Sequence, residues 1–269
     1  MEQITLTNTQ LAVSRLSFGT SRLHHLRTSC CRQQLLHESV AHGFTHFDTS
    51  PYYGDGIAEH ELGRFLATSN HNITVATKVG MYPSRPRTHL AANVWARKLI
   101  GKFVPNMSKA RVNWSVRYAR QSLNESLLSL QRDFVDILFL HEPNPNLIRT
   151  DEWIKWLEDI KARGKVRYWG VAGSREQFQQ WAKSGAKLAH LLQVRDSLNM
   201  ELDWHSTFGR APQFTFGYLT ATDQVDGVTK TLQKALSRNP MGSVLVSTRK
   251  LHRIKQLAIA TDNAGICSS

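Results

Sequence analysis

Eight short β-rich stretches recur along the chain: SRLSFGT from Ser14, THFDTS from Thr45, ITVATK from Ile73, VDILFLH from Val135, VRYWGVAG from Val166, LLQVRDS from Leu191, QFTFGYL from Gln213 and SVLVST from Ser243. Several are apolar at nearly every position rather than at alternate ones, which implies strands buried on both faces. Between them, apolar residues return at three- and four-residue spacing. This pattern predicts helices at Cys31 to Ala41, Glu59 to Ala67, Val116 to Leu130, Glu152 to Lys161, Glu176 to Lys183, Val228 to Leu236 and Leu251 to Ala260. The pattern is weakest from Asn199 to Gly209. Strand alternating with helix carries the chain back to the same end each time, so the strands pair in parallel. Eight such units predict an α/β chain closed into a (β/α)8 TIM barrel. An open doubly wound sheet is the alternative, but no GxGxxG follows the first strand. The leading segments ITL and LAV on either side of Asn8 predict a short N-terminal β-hairpin.

Length supports this reading: 269 residues suit one barrel domain over residues 1–269, since such barrels occupy about 250 residues. Composition adds a constraint on partners. Lys plus Arg outnumber Asp plus Glu by 34 to 21, a formal charge of +13, which favours nucleic acid, anionic membranes or anionic small molecules. No helix-turn-helix, RNA-recognition or zinc pattern accompanies the basic residues, so no nucleic-acid partner is expected. No apolar run approaches about 18 residues and no signal-like start is present, so neither membrane spanning nor secretion is expected. Cys30, Cys31 and Cys267 form no metal-ligand spacing and no disulfide framework, so no metal is expected and a reducing, cytoplasmic setting fits.

In parallel barrels, chemistry collects at the C-terminal strand ends. That rule selects Asp48, Tyr53, Lys78 and His141. Singly, each has an ordinary explanation as a turn cap, a packed phenol, a solvated amine or a core histidine. Their convergence on one rim favours chemistry. A tyrosine near pKa 10 is a poor acid at neutral pH, and a neighbouring ammonium is expected to lower that value while a carboxylate positions the lysine. The glycines of SPYYGDG, Gly54 and Gly56, permit the turn that returns Tyr53 over the strand end.

The segments FDTSPYYG, VATKVG and ILFLHEP resemble the motifs of the aldo-keto reductase family, and the likeness runs from the LSFGT strand to STRKLHRIKQL. The resemblance implies a barrel that binds NADPH without a Rossmann fold and moves hydride between nicotinamide and a carbonyl. It implies Tyr53 as general acid, Lys78 and Asp48 tuning it, and His141 orienting the substrate. In STRKLHRIKQL, hydroxyls and cations at the start of a helix suit phosphate: Ser247, Thr248, Arg249, Lys250 and Arg253. The resemblance places the 2′-phosphate of NADPH at Thr248 and Arg253, adenine near Gln256, and the nicotinamide carboxamide on Gln193.

Three departures stand beside the likeness. GVAGS carries Ala172 and Gly173 where the family commonly has Ser-Asn, removing two carboxamide partners. The segment from Asn199 to Val225 is compressed around the expected pyrophosphate, and the chain stops soon after the last helix. Within the long loop 79–112, Arg85, Arg87, Arg97, Lys98, Lys102, Lys109 and Arg111 stand without a single Asp or Glu. The loop either steers an anionic substrate such as a phosphorylated sugar or is simply a solvated, solubilising segment. The expected activity is NADPH-dependent reduction of an aldehyde or ketone, a sugar or anionic carbonyl compound among the candidates, by a monomer. The alternatives are an NADPH-binding regulatory or structural barrel, and a non-redox barrel enzyme with Lys78 as a Schiff-base nucleophile.

Overall fold

A computed structural model describes residues 1–83, 110–175, 178, 187–199, 209–219 and 227–262. The predicted helix Glu176 to Lys183 lies almost wholly outside them. So do most of the basic loop 79–112 and most of the segment Asn199 to Val225.

All eight predicted strands form, and they close into a parallel barrel. The short hairpin strands β1 (Gln3–Thr5) and β2 (Ala12–Ser14) pair antiparallel first. Then come β3 (Leu16–Gly19), β4 (His46–Asp48) and β5 (Thr74–Val79). Two short strands, β6 (Met81–Tyr82) and β7 (Arg111–Val112), pair antiparallel at the two ends of the basic loop. The barrel continues through β8 (Val135–His141), β9 (Val166–Gly173), β10 (Leu191–Arg195), β11 (Phe214–Phe216) and β12 (Ser243–Val246). Its closed order runs β10-β11-β12-β3-β4-β5-β8-β9.

The helices on the outside are α1 (Ser29–Ala41), α2 (Ile57–Thr68), α3 (Val116–Leu130), α4 (Thr150–Ala162), α5 (Val228–Arg238) and α6 (Leu251–Asp262). Three start two residues earlier than periodicity indicates, because polar or glycine residues ahead of the apolar stripe already set the first turn. Thr28 caps α1 by accepting from the Cys31 N–H. Gly56, with φ of 95°, turns the chain directly into α2. In α3, Ser115 caps the start, and Val116, Ala119, Leu123, Leu127 and Leu130 form the buried face. Among the described residues, no helix is long and apolar enough to cross a membrane.

Two cores follow from the two faces of each strand. On β8, Leu138 and Leu140 pack outward with the helix layer, whereas Ile137 and Phe139 point inward. The inner core joins Ile137 and Phe139 to Ala76, Leu191 and Phe214, and to Leu6, Leu11 and Val13 of the hairpin segment. The hairpin lies at the strands' N-terminal ends: Gln213, just before β11, donates to the Thr7 carbonyl and hydroxyl, and the Ser14 N–H donates to the Thr45 hydroxyl. It stoppers one end of the barrel and leaves the other for the site. His46 is buried between these ends, hydrogen-bonded to Thr74 at 2.8 Å and stacked on Phe214 at 4.7 Å. Burial, then the Lys78 charge, lowers its pKa to about 3, so it is a neutral member of the core.

Candidate active site

Strand parity delivers the first part of the site. Asp48 ends β4, Lys78 is next to last in β5 and His141 ends β8. Counting in twos from the inward Ala76, Phe139 and Leu191 puts Lys78, His141 and Gln193 on the barrel's inner face. Tyr53 arrives by another route, from the turn after β4. There Gly54 has φ of 64°, and a Cβ at this glycine would lie 2.3 Å from the His24 side chain. Only glycine fits both the angle and that approach.

These residues enclose one end of a cavity of about 520 Å³. The Lys78 ammonium donates to the Asp48 carboxylate and, at 3.0 Å, to the Thr49 carbonyl. Gln193 Nε2 donates to the same Asp48 oxygen at 2.9 Å. Asp48 and Lys78 are 1% and 2% exposed, so the pair is shielded from solvent. Lys78 Nζ lies 5.1 Å from the centre of the Tyr53 ring. The Tyr53 and His141 rings meet edge to face at 6.1 Å and 88°. An amine held in this way by two acceptors is poorly placed to attack a carbonyl, which weighs against the Schiff-base alternative.

Protonation follows from burial. The His141 pKa falls to about 3, first because the imidazole is desolvated and then because Lys78 is nearby. Tyr53 moves the other way from the sequence expectation. Its pKa stands well above 10.0, raised by burial, by Asp48, by Glu142 and by Tyr52. The ammonium expected to lower it is compensated by its own partner Asp48, while the phenol loses water. Burial also lowers the Lys78 pKa, opposed by Asp48 and Glu59. The arrangement therefore presents a protonated phenol and a neutral imidazole to the same space.

The other end of the cavity is basic. Ser247, Thr248, Arg249, Lys250 and Arg253 line it together with Arg22 and Ser21. The Ser247 hydroxyl donates to the Gly19 carbonyl at 2.8 Å, and the Thr248 hydroxyl accepts from the Lys250 N–H at 3.1 Å at the entry to α6. Gln256 is exposed on α6 and is not part of the cavity wall.

Among the described residues, the buried polar atoms without a hydrogen-bond partner include three from the cavity wall: His141 Nδ1, Gln193 Oε1 and Arg253 Nε. An acceptor next to the reaction end and a guanidinium donor at the basic end fit an elongated group with an amide at one tip and phosphate at the other. Ala172 and Gly173 line the intervening wall and bring no side-chain donor or acceptor, so the amide end rests on Gln193 and backbone.

Sequence reasoning missed several members of this wall. The Gln193–Asp48 bond links two inward strand positions 145 residues apart, a pairing that no local pattern records. Arg22 and Ser21 sit in the 3-10 turn Thr20–His25, for which the hydrophobic pattern carries no signal. Tyr218 also lines the cavity, and its hydroxyl donates to Asp196 at 2.5 Å, while Arg238 pairs with the same carboxylate at 2.9 Å.

Known proteins share this architecture. The chain is similar to L-galactose dehydrogenase of Arabidopsis thaliana, 31% identical over 176 residues, which is 62% of this chain and 47% of that protein. It spans about half the length of the curated relatives it matches. In fold it is similar to the holo form of an aldo-keto reductase from Bacillus halodurans, with a TM-score of 0.74, 19% identity and coverage of 97% of this chain and 91% of that one. It is also similar to an aldo-keto reductase from Klebsiella pneumoniae in complex with NADPH, with a TM-score of 0.67, 21% identity and coverage of 97% and 90%. The aldo/keto reductase family model matches residues 15–199, the stretch that carries Asp48, Tyr53, Lys78, His141 and Gln193, and the chain belongs to the aldo/keto reductase family of oxidoreductases.

Proposed function

We propose that the protein is an NADPH-dependent oxidoreductase that reduces an aldehyde or ketone, with sugars among its substrates, to an alcohol. The observation that carries this reading is one continuous cavity joining Tyr53, Lys78, Asp48 and His141 to the basic end at Thr248 and Arg253. Gln193 would hold the carboxamide of the cofactor, and Ser247, Thr248, Arg249 and Arg253 its 2′-phosphate. Bound NADPH supplies the hydride. The chain's residues handle the proton. Neutral His141 orients the carbonyl oxygen by hydrogen bonding, and the Tyr53 phenol gives that oxygen its proton as negative charge develops there. Lys78, held by Asp48 and Thr49, stands beside the phenolate left behind.

The basic end gives a test of cofactor choice. Arg253→Ala should raise the Kd for NADPH by about 10- to 100-fold, the range for a lost hydrogen bond to a charged group. The Kd for NADH should stay nearly constant, since NADH has no 2′-phosphate. Fluorescence titration with both nucleotides measures this directly, and equal losses for the two would remove the phosphate assignment.

The protonation states predict an unusual pH profile. Tyr53 must be protonated to act, and its raised pKa keeps it so through the neutral range. His141 must be neutral, and a pKa of about 3 keeps it so above mildly acidic pH. Carbonyl reduction should therefore show a flat kcat/KM from about pH 5 to about pH 9. A limb near the ordinary histidine value of about 6.5 would mean that His141 titrates as a solvated imidazole and that the site is more open than this geometry.

A further inference from the structure

Glu142 stands in the wall of the site, and the proton transfer above does not use it. It directly follows the inward His141, so continued strand alternation would turn its side chain towards the helix layer, where Leu138 and Leu140 lie. Instead it lines the same cavity as His141, Lys78 and Tyr53. The backbone explains how: φ is +50°, a left-handed value unfavourable for a residue with a Cβ. Pro143 follows, and its ring pushes the preceding residue towards extended backbone. The conformation is held against both preferences, with the Glu142 N–H donating to the Ala172 carbonyl at 2.6 Å.

Among the described residues, Asn8, Asp55 and Gln131 are the other non-glycine residues with positive φ. They occupy the hairpin turn, the turn before α2 and the C-terminal end of α3, where chain reversal or helix termination accounts for them. At Glu142 the consequence is a carboxylate at the reaction end of the cavity. The side chain is exposed, and its charge contributes to raising the pKa of both Tyr52 and Tyr53, which puts it within electrostatic reach of the phenol.

We propose that Glu142 is a specificity-determining residue that accepts a hydrogen bond from a hydroxyl next to the reacting carbonyl and disfavours an anionic group in that place. It thereby selects neutral polyhydroxy carbonyl compounds. The inference rests on the carbonyl-reductase reading above and narrows its substrate class. A charged acceptor makes a stronger hydrogen bond to a hydroxyl than a neutral one does, and a site built around that bond discriminates against an analogue lacking the hydroxyl. The same charge repels a carboxylate or phosphate brought against it. Whatever long-range attraction the chain's positive charge provides, the group at the reaction centre has the opposite sign.

The experiment compares kcat/KM with NADPH for three small aldehydes: glyceraldehyde, with a hydroxyl beside the carbonyl; propanal, with none; and glyoxylate, with a carboxylate there. Glu142→Gln keeps the shape and an acceptor but removes the charge. Glu142→Gly removes the side chain and relieves the backbone. The glyceraldehyde-to-propanal ratio should fall about tenfold or more in Glu142→Gly. The glyoxylate-to-propanal ratio should rise about tenfold in Glu142→Gln. Both ratios unchanged in active variants would overturn the role of Glu142 while leaving the carbonyl-reductase reading in place. Wild-type protein that binds NADPH but reduces none of the three would overturn that reading, and the inference with it.

Discussion

Replacing Tyr53 by Phe should lower kcat for carbonyl reduction by about 10²- to 10⁴-fold, the usual contribution of a positioned acid, or roughly 3–5 kcal/mol of transition-state stabilisation. The substitution removes one oxygen and keeps the ring that meets His141 edge to face and lies 5.1 Å from Lys78 Nζ. Packing of the loop and binding of NADPH should therefore be nearly unchanged, since the proposed cofactor contacts lie on Gln193 and on the Ser247 to Arg253 segment. Steady-state kinetics together with nucleotide titration separates the two effects. A Tyr53→Phe protein with wild-type turnover would show that the proton comes from elsewhere, with the His141 imidazole the nearest alternative. A protein that lost nucleotide binding together with turnover would show that the phenol is structural.

Lys78→Met should be the most destabilising single change at the site. Asp48 would remain buried and, among the described residues, its carboxylate would keep only the bond from Gln193 Nε2. Removing one partner of a buried ion pair costs about 3–5 kcal/mol, because the other charge is left without compensation. In a chain of this size that corresponds to a fall in Tm of roughly 10 °C. Adding Asp48→Asn in the same background removes the orphaned charge and should recover a substantial part of the loss. Thermal unfolding of the two single variants and the double variant gives the coupling as a cycle. Additive effects would mean that the two groups do not form the buried pair described here, and the account of how Lys78 is held would fail with it.

The fold was legible because burial on both faces leaves a trace in the sequence. VDILFLH carries the continuous apolar run ILFL, ITVATK alternates apolar residues with threonine and lysine, and each became a barrel strand buried along nearly all its length. The catalytic candidates were legible for a related reason. A charged or titratable residue at the end of an apolar strand is conspicuous, and Asp48, Lys78 and His141 all have that context. Strand parity then fixes the side on which they emerge, and so brings them together.

What stayed hidden depends on relations between distant strands or on backbone dihedrals. The bond from Gln193 to Asp48 spans 145 positions, and no local pattern records it. Adjacency in the sequence puts the Glu142 carboxylate near His141, but its left-handed backbone reverses the face that alternation assigns to it, so its place in the cavity wall is a property of the fold. The direction of the Tyr53 shift was misread for a third reason. Proximity of an ammonium lowers a phenol's pKa only where the ammonium is uncompensated, and the Lys78–Asp48 pairing and the burial of the phenol are properties of the assembled barrel.

The measurement that bears most directly on the central claim is hydride transfer itself. NADPH carrying deuterium at the transferable C4 position is incubated with the protein and glyceraldehyde, and the glycerol formed is examined by NMR and mass spectrometry. One deuterium should appear on the former carbonyl carbon, with one NADPH oxidised for each alcohol formed. Tight NADPH binding without label transfer to glyceraldehyde or to a panel of other aldoses and ketones would contradict the central claim, and would leave a nucleotide-binding regulatory barrel in its place.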